Sequence, residues 1–177
     1  MKTAIEIADG IRAGQSTARQ AVEHSLSQIR LHNGPVNAFV YLDQQAALEA
    51  ADKLDQRIAN GAIPGKLAGV PFGIKDLRDS CIGMPTKNGS LITKDAPPDR
   101  QDSPQIARLK IAGAIPLGKV ATAEFGLDGV THTLLEGTTR NPWNLERTSS
   151  GSSGGSSAAV SAAMVPLATR LMNLTEI

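Results

Sequence analysis

At 177 residues the chain can form one domain with a real core, removing roughly two-thirds of its unfolded surface from water. Its 18 Lys and Arg nearly balance 17 Asp and Glu, leaving a net charge of +1 and no basic run. That argues against nucleic acid or an anionic membrane as the main partner, and toward a small molecule or another protein. A lone cysteine, Cys81, excludes a disulfide framework and a metal-binding Cys pair, and a reducing cytoplasm fits best. No apolar run is long enough to span a bilayer, and Glu6 interrupts what would be the apolar part of a secretory leader.

In chain order, the pattern predicts a helix over 16–31, with Ser16 or Thr17 as cap, Gln20 completing a capping box with Thr17, and Val22, Leu26 and Ile29 on one face. Asn33-Gly34-Pro35 is expected to end it. A short β-prone run covers 38–42, and Ala47, Ala50, Ala51, Leu54 and Ile58 then recur at helical spacing until Gly61. Over 70–76, Val70, Phe72 and Ile74 alternate onto one face, which puts Lys75 at a strand end aimed away from them. Residues 80–100, rich in Gly, Pro, Asp and Lys, are expected to form an extended loop.

Ser103 and Pro104 open the next helix as cap and first residue, Ile106, Leu109 and Ile111 supply its apolar contacts, and Gly113 closes it. A strand over 114–120 completes a β-α-β order, which predicts an α/β fold with a buried, largely parallel sheet. Residues 122–147 look irregular, with a turn at Asn141-Pro142-Trp143. Trp143 and Phe125 are expected to anchor the core or a loop, or to line an acyl pocket. No internal repeat or interdomain linker is evident.

Gly151-Ser152-Ser153-Gly154-Gly155-Ser156-Ser157 runs into the small apolar stretch 158–164. Such a loop concentrates hydroxyls and bare amides where a helix begins, beside any anionic or polarised group. Gly151, Ser153 and Gly155 match the spacing of a G-x-S-x-G nucleophile elbow, but that arrangement needs a later histidine, and His24, His32 and His132 all precede the loop. No lysine follows Gly155 as a phosphate-binding loop requires. Taken alone, the run reads as a linker, Ser153 and Ser156 as helix caps, Lys75 as a solvated lysine or the partner of Asp76, and Cys81 as inert.

Several blocks change that reading. Gly69-Val70-Pro71-Phe72-Gly73-Ile74-Lys75-Asp76, Gly83-Met84-Pro85-Thr86, Ala112-Gly113-Ala114 with Gly118-Lys119, Glu124-Phe125-Gly126, Asn141-Pro142-Trp143-Asn144 and Gly151-Ser152-Ser153-Gly154-Gly155-Ser156 follow one another in order. Together they resemble the amidase signature family. The resemblance implies the N-terminal part of that family's fold, with helices flanking a mixed sheet. It also implies amide hydrolysis by a Ser-Ser-Lys triad, in which Lys75 is the base and Ser152 the relay serine beside a cis peptide bond. Gly151, Ser153 and Gly154 would contact a small-molecule amide, without metal or cofactor. A lysine is a useful base near neutral pH only where burial disfavours its ammonium form.

The family pattern continues, after a stretch present here as 164–168, into a second glycine-rich block carrying the nucleophilic serine and oxyanion amides. Here the residues are Thr169-Arg170-Leu171-Met172-Asn173-Leu174-Thr175-Glu176-Ile177. Family spacing places the nucleophile at Glu176, and Thr175 lacks the flanking glycines that would shape an oxyanion hole, so no nucleophile is assigned. The expectation is a partial amidase-signature domain over 1–168, a divergent tail over 169–177, and no activity in isolation. Two rival readings are the amidase subunit of a glutamine-dependent tRNA amidotransferase and a non-catalytic binding fragment. Substrate identity and oligomeric state stay open.

Overall fold

The computed structural model describes residues 2–170. Thr3 opens helix α1 (Ala4–Arg12): its hydroxyl accepts from the Glu6 N–H, and the Glu6 carboxylate accepts from the Thr3 N–H. This helix precedes the first one expected, and Thr3 with Glu6 three residues on is its sequence signal. In α2 (Ala18–Val36) Thr17 and Gln20 form the expected box, but the helix continues through Gly34 and Pro35 to Asn37, which adopts the left-handed conformation. The Asn33 side chain explains the late stop, since its Oδ1 accepts from Ala38 and Phe39 while its Nδ2 donates to the Phe39 carbonyl. Pro35 therefore sits in a last turn that is fastened from outside the helical ladder.

Strand β1 (Phe39–Leu42), helix α3 (Gln44–Ala59) capped by Asp43, strand β2 (Pro71–Lys75), helix α4 (Pro104–Ile111) and strand β3 (Ile115–Val120) follow as the pattern predicts. Ser103 stands at the α4 cap position without making the capping bond. Ile111 is 83 % exposed, a correction to its expected role, because it lies five residues and about 140° around the helix from the buried Ile106. The irregular region instead holds a 3-10 turn (Glu124–Gly126) and two small antiparallel pairs, β4 (His132–Thr133) with β5 (Gly137–Thr138) and β6 (Arg140–Asn141) with β7 (Asn144–Thr148). The expected turn joins β6 to β7, and Trp143 at its tip is 84 % exposed, so it anchors no core.

Helix α5 (Gly154–Ser161) and strand β8 (Leu167–Ala168) complete the described fold. The main sheet runs β1-β3-β2-β8, with β1 antiparallel to β3 and the other pairs parallel, so it is mixed. Every residue of β2 is buried, so its alternation sorts side chains between two cores rather than between core and water. Phe72 and Ile74 join Val70, Met84 and Ile106 on one side. On the other, Gly73 lies against Phe39 and Val120, within the core that α2 builds from Val22, Leu26 and Ile29. No helix among the described residues is long and apolar enough to cross a membrane.

Candidate active site

Lys75 ends β2 on the face shared with Gly73, and it is wholly buried. Its Nζ donates to Ser152 Oγ at 2.8 Å and to Ser153 Oγ at 2.8 Å. Two residues 77 and 78 positions away thus meet a lysine that solvent does not reach. The Gly151–Ser152 peptide bond is cis. The Ser152 carbonyl accepts from the Ala123 N–H and the Thr122 hydroxyl, each at 3.1 Å, which fastens the loop to the segment leaving β3.

The glycines of the loop answer to close approach. A side chain at Gly154 would strike the Thr131 and Ser149 hydroxyls, and one at Gly155 would strike the Ala121 backbone, whose carbonyl accepts the Gly155 N–H at 3.0 Å. The Gly154 amide is engaged by Thr131 Oγ1 at 3.1 Å, and Gly151 lies against the backbone of residues 128–130. Neither Ser153 nor Ser156 caps α5 through its side chain, a correction to the expected caps. Ser153 Oγ is taken by Lys75, and Ser156 Oγ donates to the Thr169 carbonyl at 2.7 Å. Gly151, Ser153 and Gly154 line a polar cavity of about 190 Å³ together with Ser149, Ser157 and Arg170. A larger cavity, about 570 Å³, lies between α1 and α2 and includes no residue of the loop, so size does not mark the site here.

Three residues to which the sequence pattern gives no site role form a chain of hydrogen bonds that starts at the Lys75 backbone. Thr169 Oγ1 accepts from the Lys75 N–H at 2.9 Å and donates to Asp79 Oδ2 at 2.9 Å. Lys119, also wholly buried, donates from Nζ to the Asp79 carbonyl at 2.5 Å and to Thr86 Oγ1 at 2.7 Å, with the Asp99 carboxylate 3.7 Å away. Burial pulls Lys119 below the ordinary lysine range, against the opposing pull of Asp76 and Asp99. Burial likewise pushes the Asp79 carboxyl up, opposed by the Thr169 hydrogen bond. Lys119 has a sequence signal, a cation between apolar strand residues Leu117 and Val120, whereas Asp79 and Thr169 have none. Cys81 is buried, and burial pushes its thiol up to about 11, as fits an inert cysteine. Thr175 and Glu176 lie outside the described residues.

The Amidase family model matches residues 20–169. A 1-carboxybiuret hydrolase subunit of Pseudomonas sp. (strain ADP) is 41% identical over 167 residues, covering 94% of this chain and 36% of the relative. A glutamyl-tRNA(Gln) amidotransferase subunit of Lachnospira eligens is 42% identical over 161 residues, covering 90% of this chain and 33% of the relative. Among solved structures, a bacterial aryl acylamidase of the amidase signature family superposes with a TM-score of 0.89 at 32% identity, covering 94% of this chain and 34% of that one. The chain therefore spans about a third of the length of the curated relatives it matches.

Proposed function

The chain belongs to the amidase signature family, and from that premise we propose that it forms part of an enzyme hydrolysing carboxylic amides, with Lys75 as base and Ser152 as proton relay. The observation that carries this reading is the 2.8 Å contact between Lys75 Nζ and Ser152 Oγ inside a buried site. A neutral Lys75 would take the Ser152 proton as Ser152 takes that of an attacking nucleophile, and the proton would return along the same path to the leaving amine. Gly151, Ser153 and Gly154, on the wall of the polar cavity, are proposed to meet the amide substrate. Residues 1–168 are proposed as part of one amidase-signature domain. A reducing cytoplasmic setting is consistent with the single buried Cys81.

Amide hydrolysis, followed as ammonia or amine release by the protein that carries this segment, tests the reading. Lys75→Ala is expected to lower kcat/KM roughly 10³-fold, as loss of a general base does. Turnover within twofold of the parent would overturn the assignment. A second reading, part of a tRNA-dependent amidotransferase, is supported by the 42% identity to the Lachnospira eligens protein. Amide nitrogen delivered to an acceptor rather than released as ammonia would favour it.

A further inference from the structure

Lys75 can meet Ser152 only if the end of β2 and the start of α5 keep a fixed separation. One residue bonds to both. The Thr169 N–H donates to the Gly73 carbonyl at 2.9 Å, and its hydroxyl accepts from the Lys75 N–H, so two bonds hold it to the end of β2. Its carbonyl accepts from Ser156 Oγ at 2.7 Å, in the first turn of the helix that begins beside Ser152 and Ser153. The hydroxyl proton points onward to Asp79 Oδ2, and Lys119 holds the Asp79 carbonyl, so the loop after β2 is fastened to the same node. Thr169 and Asp79 are each only 3 % exposed, and bonds at this depth resist exchange with water.

We propose that Thr169 is a positioning residue for Lys75: its hydroxyl, oriented by Asp79, fixes the Lys75 backbone while its carbonyl holds α5, and together these set the distance from Nζ to Ser152. The assignment rests on reading Lys75 as the base, but its test does not require turnover. Thr169→Val keeps the shape and removes both hydroxyl bonds, whereas Thr169→Ser keeps the oxygen. Ile29→Val, in the α2 core, serves as a mild destabilisation elsewhere.

The readout is the ¹⁵N resonance of Lys75 Nζ in the full 177-residue chain, correlated through its side-chain protons, together with hydrogen exchange at the Lys75 amide. In Thr169→Val the Nζ resonance is expected to move or vanish and the amide to exchange roughly tenfold faster. Thr169→Ser is expected to restore both, and Ile29→Val to leave Nζ in place. An unmoved Nζ in Thr169→Val, an equal displacement in Thr169→Ser, or the same displacement in Ile29→Val would overturn the proposal. Since Nζ is observed directly, such a failure would leave the base role of Lys75 to be judged by the hydrolysis assay alone.

Discussion

Two buried lysines occupy neighbouring strands and face opposite ways. In the parallel pairing of β2 with β3, Lys75 stands opposite Val120 and Lys119 opposite Ile74, so one enters the α5 side of the sheet and the other the side under the 76–102 loop. Lys119 donates to a carbonyl and to Thr86, which itself donates to Asp99 at 2.7 Å, and the Asp99 carboxylate faces the ammonium. Lys75 donates to two serine hydroxyls. The difference is chemical, since a hydroxyl can turn and donate to a neutral amine but a carboxylate or carbonyl cannot. Removing a proton from Lys75 can leave its serine contacts standing with roles exchanged. Removing one from Lys119 strips Asp99 of its counter-charge. On the proposed reading, the groups that meet its nitrogen, and not burial alone, suit Lys75 to act as a base.

Exchanging each lysine for methionine would break this comparison most directly. Lys75→Met should abolish about 99.9 % of amide turnover in the protein that carries this segment with the smaller change in stability, because the serine hydroxyls it leaves can turn to other partners. Lys119→Met should show the reverse order of effects, losing about 3 kcal/mol in urea denaturation, since it strands a buried carbonyl and leaves Asp99 uncompensated. Comparable stability losses in the two variants would end the distinction. Gly155→Ala tests the geometry between them. Its methyl would strike the Ala121 backbone just past β3, which cannot yield as a side chain does, so a loss of about 2 kcal/mol is expected by denaturation. The Nζ contact with Ser152 should loosen with it.

Much of this arrangement is legible in the order of residues alone. Thr17 with Gln20, Pro104 at a helix start and the alternation of Val70, Phe72 and Ile74 each carry local chemistry that decides an element, and those elements form. Pro35 and Ile111 mislead because their outcome depends on side-chain bonds outside the helical ladder or on the angular position around a helix. The Lys75–Ser152 pairing is reached only through the order of the sequence blocks, since no spacing rule connects residues 77 apart. Ser153 reads locally as a cap, yet a lysine from another element takes its oxygen. Thr169 falls with the tail because the family pattern is lost after residue 168, but its hydrogen bonds to β2 and α5 pack it into the body.

The smallest expected effect concerns Asp76, which follows Lys75 and faces the Lys119 side. Its Oδ1 accepts from the Lys87 N–H at 2.9 Å, Oδ2 is buried, and the Gly89 amide also acts on the carboxylate. Burial pushes this carboxyl up to about 6, with the Lys87 bond and Lys119 pulling the other way. A folded-state value above the unfolded one means that the folded chain binds more protons between about pH 4 and pH 6. Asp76 therefore favours the fold below that window, and its contribution is lost as pH rises through it. Denaturation at pH 4.5 and pH 7.5 should show Asp76→Asn flattening the parent's decline in stability across that interval, by no more than about 2 kcal/mol. In Lys119→Met the same window should extend upward, because the cation that holds Asp76 down is gone. A window unmoved by that exchange would mean that the Lys119 charge does not reach Asp76, and that the two sides of the sheet differ less in electrostatics than in hydrogen bonding.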